Sequence, residues 1–239
     1  MKPTQLLAPH TLRSLLKKSC VLACLLVMMG CHPEPTAGAD ELSQENSMKT
    51  TPMKVAIIVG SVRPTGTADK IVNNLKRLLD ARTDIQTELL FVRDYALPFY
   101  TDTMAPADRT EPIADPVLKK WSDAVKRADG YIIVSPEYNA GYPAPLKNAL
   151  DSLYKEWNYK PVAFVGYSGG QSGGTSSIAQ LHQVAQALKL IPIAVDVKIP
   201  QSWKAFTSTG DLVMFASVQQ ELNRVVDLLL VVHHAPQSR

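Results

Sequence analysis

The sequence predicts an α/β fold, a doubly wound, parallel five-stranded sheet covered by helices on both faces. Three observations point to it. From Met53 onward, short apolar runs alternate with longer stretches of helical spacing, five of each. The runs are apolar almost throughout, as in strands buried on both faces. The composition, 46% hydrophobic and 20% charged over 239 residues, suits one domain with a sizeable core.

The elements follow in order. Residues 55–60 (VAIIVG) form the first strand, ended by Gly60-Ser61. Residues 68–79 place Ile71, Val72, Leu75, Leu78 and Leu79 at helical spacing. Residues 85–92 (IQTELLFV) mix in polar side chains, as expected of a strand nearer an edge. A loop rich in Pro, Asp and Thr covers 95–116, and the helix at 118–128 carries Leu118, Trp121, Ala124 and Val125 on one face. The third strand is 130–134 and the third helix 144–153, where Pro145 is tolerated in the first turn. A fourth strand at 161–166 leads through a glycine-rich loop to a helix at 175–188. A fifth strand at 191–197 and an amphipathic helix at 212–232 complete the pattern.

Charge and cysteine placement separate the first fifty residues from the rest. Residues 1–31 hold Lys2, Arg13, Lys17 and Lys18 and no acid. Without those four, 21 bases face 22 acids, so the body is near neutral and carries no electrostatic footprint for nucleic acid. Cys20, Cys24 and Cys31 all fall in this leader, which leaves the body without a disulfide or a thiolate nucleophile. The histidines show no metal-ligand spacing. The basic flank, the ten-residue apolar run CVLACLLVMM and the following Gly30-Cys31 have the layout of a secretory signal. The end of this leader resembles a bacterial lipobox, with Met28 and Met29 departing from it, and makes Cys31 a candidate lipid anchor. Residues 1–52 are therefore expected to be leader and flexible linker, and 53–235 the folded domain. Met48 and Met53 are alternative translation starts, each just before the first strand.

In a doubly wound sheet, ligands sit beyond the carboxyl ends of the strands. Three loops there are informative. After strand one, Gly60-Ser-Val-Arg-Pro-Thr-Gly-Thr67 leads into a helix, so backbone N–H groups and Arg63 form an anion site. It is neither the G-x-G-x-x-G fingerprint nor a Walker A loop. After strand three comes SPEYNAGYPAPLKNALD, too elaborate for a simple connector. After strand four comes Tyr167-Ser-Gly-Gly-Gln-Ser-Gly-Gly-Thr175, whose four glycines allow backbone to approach a ligand. A phosphate cradle beside two loops able to hold a planar ring implies a phosphorylated flat cofactor.

GSVR after the first strand, PEYN with GYPAPLKNALD after the third and YSGGQSGG after the fourth together resemble the NADPH-dependent FMN reductase family. The resemblance covers residues 54–230. It implies a flavodoxin-like three-layer sandwich with strand order 2-1-3-4-5, bound FMN, and NADPH or NADH as hydride donor. It further implies a small-molecule electron acceptor such as a quinone, free flavin or chromate, a homodimer or homotetramer, and a ping-pong reaction. Ser61, Arg63 and Thr67 match the family's phosphate-binding residues, although the early Ser-x-Asn of many members reads Gly66-Thr67-Ala68 here. Pro136, Glu137, Tyr138 and Asn139 match the segment along the isoalloxazine ring, and Ser168, Gly169 and Gly170 the loop at its pyrimidine edge.

Hydride transfer to a flavin needs proximity and stacking rather than acid–base side chains, so no catalytic residue is assigned. Glu137 is expected to act as a cap or ion-pair partner, and Tyr138 as a stacking platform. Tyr142 and Trp203 are weaker candidates for the nicotinamide and acceptor side. Lys147 and Asn148 are expected to fix the third helix and a subunit contact. A soluble nicotinamide reductant implies the cytoplasm, with a membrane-anchored lipoprotein as the alternative if the leader is used. Two other classes fit less well. An electron-transfer flavodoxin usually presents a strongly acidic face, which this body lacks. A receiver-type signalling domain needs acidic residues where this chain has Gly60-Ser61.

Overall fold

Strand β1 (Met53–Val59) lies inside the sheet, between two neighbours, with every residue but Lys54 buried. It pairs in parallel with β2 (Ile85–Phe91) and β3 (Gly130–Pro136), so that Ile57 lies between Leu89 and Ile132. Strand β4 (Pro161–Tyr167) continues from β3, with Val134 opposite Val165. The order is β2-β1-β3-β4 and then β5 (Ile191–Pro192), all parallel, as the family resemblance implies. This computed structural model describes residues 51–213 and 215–236. The readings made of residues 1–50, Cys31 included, lie outside the described residues.

Alternation along β1 divides the interior into two cores. Val55, Ile57 and Val59 face α1 (Thr67–Leu79) and α5 (Phe215–His234). Ala56 and Ile58 face α2 (Pro116–Arg127), α3 (Ala144–Asp151) and α4 (Thr175–Ala187). Helix α2 starts at Pro116, two residues before the expected Leu118, because the Asp115 carboxylate caps it by accepting the Leu118 N–H at 2.7 Å. Among the described residues no helix is long and apolar enough to cross a membrane.

The fifth strand departs from expectation. Residues 191–197 do not form one strand but two short ones on the same edge of β4, β5 (Ile191–Pro192) and β6 (Val197–Ile199). Val162 faces Pro192 and Val165 faces Val197, so three steps along β4 span five along the edge. Pro192 has no N–H for the ladder, and Asp196 turns out of line to receive His182 Nε2 at 3.1 Å from both carboxylate oxygens. A bulge of this kind is tolerated on an edge strand.

The 95–116 loop begins after a 3₁₀ turn at Val92–Asp94 and is fastened to α3. Asn148 donates to the Pro98 carbonyl at 2.9 Å and accepts the Tyr100 N–H at 3.3 Å. Lys147 instead pairs with Asp151 one helical turn on. The expectation that these two residues fix the helix holds within the chain.

Candidate active site

The three loops singled out in the sequence meet at the carboxyl end of the sheet. The first leaves β1 through Gly60, where a Cβ would sit 2.7 Å from Leu146 Cδ2, so glycine lets α3 pack against the strand end. Ser61 is 2% exposed, and its hydroxyl accepts the Arg63 N–H at 3.3 Å. Thr67 opens α1 with Gly66 as its N-cap. The Arg63 guanidinium lies over the Tyr138 ring, 4.8 Å from its centroid. That contact joins the first loop to the second.

The second loop turns sharply after β3. Tyr138 and Gly141 exchange hydrogen bonds at 2.8 and 3.0 Å around a two-residue turn. Asn139 (φ 50°) and Ala140 (φ 62°) both take left-handed backbone, the geometry of a type I′ turn. Gly141 itself does not: the space at its missing Cβ belongs to Gln180 Oε1, 3.1 Å away, and Gln180 donates to the Ala140 carbonyl at 2.9 Å. Ser135 hydrogen-bonds Ser177 beneath this turn at 2.8 Å. Tyr142 packs partly against the α2–α3–α4 core, and burial raises its phenol pKa.

Glu137 acts as a cap. Its carboxylate accepts the Ser176 N–H at 2.9 Å and the Ser172 hydroxyl at 3.3 Å, across the amino terminus of α4. Its own N–H donates to the Tyr167 carbonyl at 2.9 Å. The third loop is closed on itself by Ser168, whose hydroxyl bonds Gly170 O, Ser172 Oγ and the Gly173 N–H at 3.0–3.1 Å. The segment after β6 is bonded to it, Gln201 N–H to Gly170 O and Ser202 N–H to Ser168 O, each at 2.8 Å. Trp203, next in the chain, is 67% exposed beside the Lys204 ammonium.

The four glycines of this loop serve two purposes. A Cβ at Gly174 (φ 91°) would fall 2.6 Å from Gly166 Cα, and one at Gly173 (φ 61°) 3.0 Å from Lys198 Cβ. A Cβ at Gly169 or Gly170 would meet nothing within 4 Å. The first pair is needed for packing; the second has open space where a side chain would stand.

Sequence reasoning missed two side chains here. Tyr167, the last residue of β4, is 6% exposed, its phenol near Ser61 and pushed up to about 12 by burial. Its place as the final residue of a strand aimed at the site was a usable signal. Arg93, just past β2, also reaches the first loop. The loop after β2 was among the strand exits not read for chemistry. Among the described residues, no group of His, Cys, Asp and Glu could hold a metal ion.

Comparison with known proteins bears on the same region. The family model described as NADPH-dependent FMN reductase matches residues 53–204. The chain is 39% identical over 160 residues to the NAD(P)H-dependent FMN reductase LOT6 of Saccharomyces cerevisiae, covering 62% of this chain and 82% of that one. It is 30% identical over 154 residues to a quinone reductase of Pseudomonas putida, covering 62% and 76%. Among solved structures it is similar to FerB, a flavoenzyme NAD(P)H:(acceptor) oxidoreductase of Paracoccus denitrificans. That match has a TM-score of 0.62 and 25% identity, and covers 75% of this chain and 98% of that one.

Proposed function

This chain belongs to the NADPH-dependent FMN reductase family, and from that premise we propose that it passes electrons from NAD(P)H through bound FMN to a small-molecule acceptor, a quinone first among them, in a ping-pong reaction. That it is an oxidoreductase using FMN and NAD(P)H follows from the family. The acceptor and the order of events are the proposal.

The observation that carries it is the physical linkage of the three loops. Arg63 stacks on Tyr138, Tyr167 is buried near Ser61, and Glu137 joins β4 and α4. A phosphate-bearing planar ligand spanning them would meet a surface organised in advance, and preorganisation lowers the cost of binding.

The residues fit such a ligand. Among the described residues no carboxylate pairs with the Arg63 guanidinium, which leaves its fork for a phosphate beside the Ser61 hydroxyl and the start of α1 at Thr67. Tyr138 and the Pro136–Asn139 backbone supply a wall for the ring. Glu137 and Ser168 have their side chains committed within the protein, so their part is to hold main chain in place. Gly169 and Gly170 leave the space of a side chain open, which lets a ring edge approach the loop. FMN held by these residues would supply the hydride-accepting and electron-donating chemistry, which no side chain here provides. Nicotinamide and acceptor would then enter by the same open side of these loops, which favours release of the first before entry of the second.

Purified protein titrated with FMN should acquire a bound flavin spectrum and oxidise NADPH when a quinone is present. Double-reciprocal plots at several quinone concentrations should run parallel. Protein that takes up no FMN and oxidises no NADPH would overturn the reading; converging lines would overturn the ping-pong order alone.

A further inference from the structure

One polar cluster outside the three loops reaches directly into the first of them. Arg93, in the turn after β2, donates from Nη1 to the Arg63 carbonyl at 3.2 Å and to Asp69 Oδ2 at 3.0 Å. Its Nη2 donates to Asp69 Oδ1 at 2.5 Å. Asp69 Oδ2 also accepts the Gly66 N–H at 3.1 Å, so one carboxylate closes the loop that Gly66 ends. The guanidinium carbon lies over the Phe91 ring, 4.2 Å from its centroid, and the exposed Asp94 carboxylate is 3.7 Å from Nε. The Arg93 and Asp69 side chains are 24% and 22% exposed. The Arg93 hydrogen bonds, foremost, hold the Asp69 carboxyl below the usual carboxylate range.

We infer that Arg93 is a positioning residue that makes the β1–α1 loop able to hold a phosphomonoester; the inference rests on the FMN reading above. A carboxylate in the first turn of α1 favours the helix but repels a phosphate at the same terminus. Arg93 occupies both Asp69 oxygens with a planar fork and cancels that repulsion. By holding the Arg63 carbonyl it also fixes the backbone from which the phosphate-facing guanidinium extends. The effect is confined to the phosphate end, so Arg93 discriminates between FMN and riboflavin, which has the same ring and no phosphate.

The test measures dissociation constants for FMN and for riboflavin by flavin fluorescence on wild type, Arg93→Gln, Arg93→Lys and Arg93→Gln/Asp69→Asn. Circular dichroism melts choose a temperature at which each is folded. Arg93→Gln should weaken FMN on the order of tenfold or more while leaving riboflavin within about twofold. Arg93→Lys, which keeps charge and loses the fork, should fall between, and remains informative if the Gln variant fails to fold. The double variant should regain part of the FMN affinity, because the repelling charge has gone. Equal losses for both flavins, or unchanged FMN affinity, overturn this inference and leave the FMN reading standing. Wild type that binds neither flavin overturns both.

Discussion

At the amino end of the sheet, Tyr131 and Trp157 meet edge to face at 5.1 Å, and Trp121 meets Trp157 at 6.1 Å. Their polar atoms reach backbone: Trp121 to Ala149 O, Trp157 to Leu150 O and Tyr131 to Val125 O, at 2.8–3.1 Å. At the carboxyl end, three loops are held by short polar side chains, and two glycines are left facing open space. One sheet is thus sealed at one end by large rings and kept accessible at the other. A closed end gains stability from contact, and an accessible end must hold its shape through hydrogen bonds that a ligand need not disturb.

The largest effect expected of this contrast is at the closed end. Trp157→Ala removes a fully buried indole and its hydrogen bond, and should cost about 3–5 kcal/mol in urea unfolding. The fraction that remains folded should bind FMN as wild type does. A loss of FMN affinity matching the loss of stability would show that the two ends are not separable.

Gly174 sharpens the comparison because it lies at the accessible end yet serves packing. Gly174→Ala forces a Cβ against Gly166 at positive φ, and should cost on the order of 2 kcal/mol or more in unfolding. Gly170→Ala, four residues earlier in the same loop, should stay within about 0.5 kcal/mol in stability. Its cost should appear as weaker FMN binding, read by the same fluorescence titration. Comparable stability losses for the two would mean that Gly170 also serves the fold.

The same distinction explains what could be read from the chain alone. Strands β1, β3 and β4 were legible because burial on both faces writes continuous apolar runs; the mixed pattern of β2 marked it as nearer an edge, and the order came with the family resemblance. The fifth was misjudged because Pro192 and Asp196 break a ladder whose sequence, IPIAVDV, still reads as apolar. The loops were legible as places, since glycine, proline and hydroxyls cluster at strand ends. The work of each glycine was not: Gly141 reads like Gly170, and only the neighbouring Gln180 shows that its space is filled. The Arg93 contact with Asp69 spans 24 residues and leaves no local pattern.

The smallest expected effect tests how dry the closed end is. Lys160 precedes β4 and donates to the Val125 and Lys126 carbonyls at 3.2 Å and to the Tyr131 hydroxyl at 3.1 Å. Burial pulls its pKa down to about 8, against the opposing pull of Asp129 and Glu156. Between about 8 and an unfolded value near 10.4, the unfolded chain binds a proton that the folded chain does not, so stability rises with pH across that window. Below it both states are charged and the slope disappears. The stability of wild type relative to Lys160→Met should therefore climb from about pH 8 to 10.5, on the order of 1 kcal/mol after solvent screening, in urea titrations at stepped pH. FMN affinity should not differ between the two proteins at any pH. A flat stability difference would mean that the carbonyl cage solvates the ammonium as well as water does; the aromatic end would then be sealed by its rings alone, with the sheet edge beside them open to solvent.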